Sequence, residues 1–118
     1  MRVNDGDRLA AIVYLIDLVE ADLKGVDEQL FLQDLSLIDA TTHRLMHIGE
    51  NAIRLSAAVR LRNPELPWDR MASLRNFAAH DYFGISEAIL WQTARNSLQA
   101  LSAMCIAELA AEQRNEGE

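Results

Sequence analysis

Apolar residues recur every three or four positions along most of this chain, and that spacing constrains the fold more than any other feature. In residues 7 to 24 the apolar side chains fall on one helical face, and Gly25 ends the pattern. The same spacing continues from about residue 35 to 61, where Gly49 is expected to allow close approach of another backbone. No segment shows the alternation of a strand. The sequence therefore predicts an all-α protein.

Prolines and capping residues divide the rest of the chain. Pro64 and Pro67 interrupt the second helix, because each disfavours helical geometry in the residue before it. Pro67 or Trp68 is suited to begin a third helix that ends near Gly84.

A fourth helix is predicted from a cap at Ser86 through Leu109, and Asp27 is expected to cap a short turn between the first two helices. The predicted architecture is an up-and-down four-helix bundle with one short extra helical turn between helices one and two. Residues 1–118 form a single predicted domain, with a disordered polar tail from about residue 113.

The charge of the chain is unevenly distributed. The net charge of −7 argues against a nucleic-acid partner. However, residues 44–75 hold six arginines against three acidic residues, whereas the remainder is acidic. Arginine suits bidentate contacts with phosphate or carboxylate, although any one of these arginines could simply solvate a helix face.

Nothing in the sequence predicts a membrane span or an exported protein. No run approaches the roughly 20 apolar residues that a membrane helix needs, and the N-terminus lacks an apolar segment of secretory type. A cytoplasmic location is therefore expected. The single cysteine, Cys105, lies in an apolar helical pattern that is typical of an inert buried thiol.

Two pairs of residues have side chains that can bind a ligand, a metal ion in one case and nucleic-acid bases in the other. His43 and His47 are four apart on one helix, but two ligands are too few for a metal site, so ordinary surface or interface histidines are expected and no metal or cofactor is predicted. Trp68 and Trp91 could stack on bases, but in a helical bundle they are more typical of core or interface anchors.

Residues 74 to 84, LRNFAAHDYFG, mix polar and apolar groups in a way that a core helix does not need. Arg75 and His80 are five apart, which turns them about 140° from each other on a helix. One straight helix cannot easily aim both at one phosphate, but two antiparallel copies across a two-fold axis can. The spacing therefore favours a homodimer, unless these groups form a buried polar network that holds the bundle together.

These residue types suit phosphoester chemistry without a metal. Histidine titrates near neutrality and can exchange a proton with a ribose 2′-hydroxyl or a leaving oxygen. Arginine can stabilise the extra charge that develops at phosphorus.

The segment RNFAAHDY resembles the R-x4-H-x-Y signature of the HepT-like branch of HEPN domains. The stretches MHIGENAIRLS, PELPWDRMASLRN and DYFGISEAILW are also similar to that family, so the resemblance covers nearly the whole chain. Asn51 stands where alanine is usual, outside the motif.

The resemblance implies a metal-independent endoribonuclease with composite sites between two protomers, the toxin of a type VII toxin–antitoxin pair. Arg75 and His80 would carry the cleavage, and Asn76 would orient them. A minimal nucleotidyltransferase antitoxin would transfer AMP onto Tyr82, blocking the site with bulk and negative charge. The substrate would be RNA, either tRNA or mRNA. The alternative is a non-catalytic helical module that binds a nucleotide or a partner enzyme.

Overall fold

The structure, a computed structural model, describes residues 4–75 and 87–116. Every regular element in these residues is a helix, so the all-α prediction is confirmed. In chain order the helices are α1 (Asp5–Leu23), α2 (Glu28–Leu32), α3 (Leu35–Ile53), α4 (Ala57–Arg62), α5 (Trp68–Leu74), α6 (Glu87–Asn96) and α7 (Gln99–Glu116).

Side-chain caps define where the first helices begin. Asn4 and Asp7 form a reciprocal capping box at the start of α1. Asp27 accepts a hydrogen bond of 2.8 Å from the Leu30 backbone N–H, which confirms the predicted helical turn α2. Gly25 has a φ of 74°, the left-handed conformation that favours glycine after a helix.

Helix α3 lies at the centre of the bundle. It packs against α1, α2, α5 and α6, and α1 also packs against α7. The buried apolar side chains form one core cluster, in which Trp91 contacts Phe31 with ring centroids 5.2 Å apart. The half-buried Trp68 donates its indole N–H to the Asn63 carbonyl oxygen. Both tryptophans are therefore anchors within the fold, as predicted.

The prediction of one continuous helix over residues 35–61 is wrong. The helix ends at Ile53, and α4 begins after Ser56, whose Oγ accepts the Val59 N–H. The Asp5 carboxylate of α1 accepts hydrogen bonds from both the backbone N–H (2.9 Å) and the hydroxyl (2.6 Å) of Ser56. Because this carboxylate takes the N–H that a continuous helix would use internally, the chain turns at this point.

The predicted fourth helix is also divided, into α6 and α7. Between them the Gln99 side chain donates to the Arg95 carbonyl oxygen at 2.7 Å. Helix α7 then extends to Glu116, so residues 113–116 are helical where the sequence predicts disorder. The third helix begins at Trp68 as expected, but its continuation through residues 76–84 and the predicted cap at Ser86 lie outside the described residues.

The structure also tests the predictions about a membrane span and about the single cysteine. Within residues 4–75 and 87–116, no helix is long and apolar enough to cross a membrane. Cys105 is fully buried, and burial raises the pKa of its thiol to about 12, so the sulfur stays protonated at neutral pH. This agrees with the predicted buried thiol.

Candidate functional site

Arg75 follows the last residue of α5 and directs its side chain toward the surface. Its backbone still has helical geometry, and its side chain is 48% exposed. One guanidinium nitrogen, Nη1, lies 3.9 Å from Oε1 of Glu50 on α3. This is a long ion pair between two partly solvated groups, so it holds the arginine only weakly.

Gly49 places the end of α5 against α3. A Cβ at this glycine would lie 2.9 Å from Leu74 Cβ, 3.0 Å from the Arg75 backbone nitrogen and 3.0 Å from the Met71 carbonyl oxygen. Two of these three atoms belong to the backbone and cannot rotate away. The predicted close approach at Gly49 is therefore confirmed, and it is what brings Arg75 beside Glu50.

Arg54 is the third member of this charged cluster, which we call the Glu50 cluster: Glu50, Arg54 and Arg75. The other carboxylate oxygen of Glu50, Oε2, lies 3.4 Å from Nη2 of Arg54, whose side chain is 61% exposed. Arg54 directly follows α3 and Arg75 directly follows α5, so two helix C-termini bring a guanidinium to one carboxylate. The cluster carries one net positive charge at the surface.

Sequence reasoning singled out Arg75 but missed Arg54 and the pairing with Glu50. The four-residue spacing of Glu50 and Arg54 was an available signal for a pair on one helix. The contact between Glu50 and Arg75 depends on how α3 and α5 pack, and the spacing of residues in the sequence does not predict that packing. The other predicted site residues, Asn76, His80 and Tyr82, lie outside the described residues.

His43 and His47 lie farther along the same side of α3. Their rings meet edge to face, with centroids 4.4 Å apart. In the part of the chain that the structure describes, no group of three or more His, Cys, Asp or Glu residues is arranged to hold a metal ion.

A further Arg–Glu pair joins α4 to α7. Glu108 of α7 accepts hydrogen bonds from Nη2 (2.5 Å) and Nε (3.1 Å) of Arg62, and its side chain is only 15% exposed. The hydrogen bonds from Arg62 hold the pKa of the Glu108 carboxyl below its usual value, against the opposing effect of burial. The same contact raises the pKa of Arg62. This pair borders a cleft of about 680 Å³ between α1, α4 and α7.

Comparison with known proteins identifies the family. The family model described as ribonuclease HepT-like matches residues 11–107, which is most of the chain. This chain belongs to the HepT-like ribonuclease family. The match includes α3, α5 and α6, and it spans the Glu50 cluster.

Individual relatives of this HepT-like chain agree with the assignment. It is 30% identical over 101 residues to "Probable ribonuclease HepT" from Thermococcus cleftensis, covering 86% of this chain and 92% of that protein. It is 29% identical over 91 residues to "Putative RNase MJ1380" from Methanocaldococcus jannaschii, covering 72% and 84%. It is 32% identical over 71 residues to "Putative RNase TTE0752" from Caldanaerobacter subterraneus subsp. tengcongensis, covering 60% and 63%. No solved structure matches the chain.

Proposed function

We propose that this protein is an endoribonuclease that cleaves RNA without a metal ion, using Arg75 and His80. The observation that carries the proposal is the position of Arg75, half exposed at the end of α5 and held only by a long ion pair. A guanidinium in this state can exchange a carboxylate for a phosphate at little cost. The family match and the names of the relatives support RNA as the substrate class.

The proposed reaction is an internal transfer at phosphorus. His80 takes the proton of a ribose 2′-hydroxyl, and the 2′ oxygen attacks the adjacent phosphorus. The bond from phosphorus to the 5′ oxygen breaks, and that oxygen takes up a proton from an imidazolium. Arg75 stabilises the extra negative charge on the phosphoryl oxygens, and Asn76 orients the two groups. The products are a 2′,3′-cyclic phosphate and a 5′-hydroxyl.

The active unit in this proposal is a homodimer. Arg75 and His80 are five residues apart, so within one regular helix they diverge by about 140°. A two-fold arrangement would place the arginine of one protomer near the histidine of the other. The single net positive charge of the Glu50 cluster would then be repeated on the second protomer, which favours a polyanion across the dimer.

The test is cleavage of RNA by the purified full-length protein in EDTA. Fragments ending in 2′,3′-cyclic phosphate are expected, and the His80→Ala variant should produce none while it keeps the helical content and oligomeric state of the parent. Cleavage that persists at the parental rate in His80→Ala would reject the catalytic assignment.

A second part of the proposal is regulation at Tyr82 by a minimal nucleotidyltransferase antitoxin. An AMP group on Tyr82 would add a negative charge and bulk, which would compete with substrate phosphate for Arg75. Co-expression with a nucleotidyltransferase encoded beside this protein should add the mass of one or more AMP groups, and Tyr82→Phe should remove that addition. A mass shift that survives in Tyr82→Phe would place the acceptor elsewhere.

The net charge of −7 favours one other candidate, a helical module that binds a nucleotide or partner without turnover. An acidic surface slows non-specific association with RNA. This candidate predicts binding without fragments in the same EDTA assay, across tRNA and mRNA substrates.

A further inference from the structure

The Glu50 cluster contains a second arginine for which the proposed catalysis has no use. Arg54 lies at the other end of the same carboxylate that pairs with Arg75, and the two oxygens of Glu50 divide between the two guanidinium groups. Both arginines therefore reach a space that one small anionic group can span.

The pairing in this cluster is loose. The distances of 3.4 Å and 3.9 Å between nitrogen and oxygen are longer than those of charge-assisted hydrogen bonds, which are about 2.7–2.9 Å. All three side chains are about one-third or more exposed, with Glu50 at 35%. A phosphate oxygen could approach closer to either guanidinium than the carboxylate does.

The position of Arg54 is built by the fold. The hydrogen bonds of Ser56 to Asp5 force the chain to leave α3, so Arg54 lies at a helix end. Gly49, five residues earlier, allows the end of α5 to pack close to the C-terminal part of α3. The hydrogen bonds of Ser56 therefore position Arg54, and the close packing at Gly49 positions Arg75.

We infer that Arg54 is a second phosphate-binding residue of the site, and that Glu50 occupies the phosphate position between Arg54 and Arg75 in the RNA-free protein. This inference rests on the proposed function, since it names how that site holds RNA. On binding, an RNA phosphate displaces the Glu50 carboxylate and contacts both guanidinium groups. The carboxylate is then a competitor for the arginines, and its removal strengthens RNA binding.

The test measures RNA affinity apart from cleavage. The probe is a single-stranded 2′-O-methyl oligoribonucleotide, which lacks the attacking hydroxyl, and its Kd is measured with the full-length protein at several salt concentrations. The Arg54→Ala variant should weaken binding about tenfold at low salt and flatten the slope of log K against log salt by about 0.7, the contribution of one phosphate contact to a single strand. Arg54→Lys should retain most of that slope, because it keeps the charge.

Arg60→Ala is the matched control. Arg60 is also exposed and lies in the same positive stretch, on α4, so its removal changes the net charge equally. It should leave the Kd and the slope near the parental values. Equal effects of Arg54→Ala and Arg60→Ala would overturn the inference and leave the ribonuclease proposal standing. If the parent did not bind the oligonucleotide at any salt concentration, the proposed function would fail and the inference with it.

Glu50→Gln tests the second half of the inference. It keeps the size of the side chain and removes the charge, so it should tighten binding of the same oligonucleotide about threefold. Asp69→Asn, on the exposed side of α5, removes one negative charge at another position and should have a smaller effect. Weaker binding in Glu50→Gln would contradict a competing role for the carboxylate.

Discussion

In the part of the chain that the structure describes, Arg–Glu ion pairs occur at two places, the Arg62–Glu108 contact and the Glu50 cluster, and the two differ in length and in the burial of the carboxylate. The Arg62–Glu108 contact joins α4 and α7 through hydrogen bonds from Nη2 (2.5 Å) and Nε (3.1 Å) of Arg62, and its carboxylate is largely buried. The contacts of Glu50 with Arg54 and Arg75 are long and solvated. An arginine that donates hydrogen bonds to a largely buried carboxylate joins two helices. One that is loosely paired at the surface keeps its donors available for a ligand.

The largest expected difference between the two contacts is in catalysis. Arg75→Ala should lower the rate of RNA cleavage by about 100-fold or more, because in the proposed mechanism this side chain supplies the charge that stabilises the phosphorus centre. Arg62→Ala should leave the rate per folded molecule unchanged and lower Tm. Both variants are measured for cleavage in EDTA and for thermal unfolding by circular dichroism. A parental cleavage rate in Arg75→Ala would break the comparison.

Glycine substitutions test whether the close packing of α3 and α5 positions Arg75. Gly49→Ala should cost about 2 kcal/mol of unfolding free energy, since its Cβ would press on the backbone of α5. It should also slow cleavage roughly tenfold by displacing Arg75. The measurements are urea unfolding and the cleavage assay.

The control is Gly6→Ala, in the first turn of α1. The three atoms nearest to a Cβ there belong to the Glu112 carboxylate, at 2.8–3.2 Å, and that is the end of a flexible side chain. This variant should be neutral, or gain up to about 1 kcal/mol in helix propensity, without affecting cleavage. If Gly49→Ala were as well tolerated, the close packing of α3 and α5 would not control the site.

The smallest expected effect is on the pH dependence of thermal stability. The Arg62 contact holds the pKa of Glu108 below its ordinary value of 4.5, so the contact stabilises the folded state above that value. The contribution is lost as the pH falls through the lowered pKa. Glu108→Gln should therefore reduce Tm by roughly 3 °C at pH 7, with a difference that shrinks as the pH falls below 4.5.

Glu50→Gln makes the same carboxylate-to-amide change in the Glu50 cluster that Glu108→Gln makes in the other contact. Its carboxylate is farther from its arginines, so the Tm at pH 7 should move by less than it does in Glu108→Gln. Thermal unfolding of both variants between pH 3 and 7 makes the comparison. A larger loss of Tm in Glu50→Gln would mean that the Glu50 cluster is a structural contact as well.

The sequence was sufficient for features that depend on local spacing. Periodicity predicted most of α1 and the whole of α3 but not where α3 ends, Asp27 predicted α2, and Gly49 predicted a close backbone approach. The break after Ile53 was missed because its cause is Asp5, 51 residues from Ser56.

At the candidate site, too, the sequence predicted what depends on local spacing and missed what depends on tertiary contacts. Arg75 could be chosen from the motif, because its spacing to His80 has a direct geometric meaning. The neighbours of Arg75 could not be chosen, because Glu50 reaches it only after α3 and α5 pack together. The Arg62–Glu108 contact, between residues 46 apart, carries no local signal at all.

The most direct test of the central claim, a site shared between two protomers, is complementation between inactive variants. Arg75→Ala and His80→Ala are each expected to be inactive alone. They are mixed as unfolded chains, refolded together and assayed with RNA in EDTA. Half of the dimers should be mixed, and each mixed dimer should hold one intact site of two, so activity should return to about a quarter of the parental value. No recovery, in a mixture shown to contain mixed dimers, would contradict a site built from both protomers.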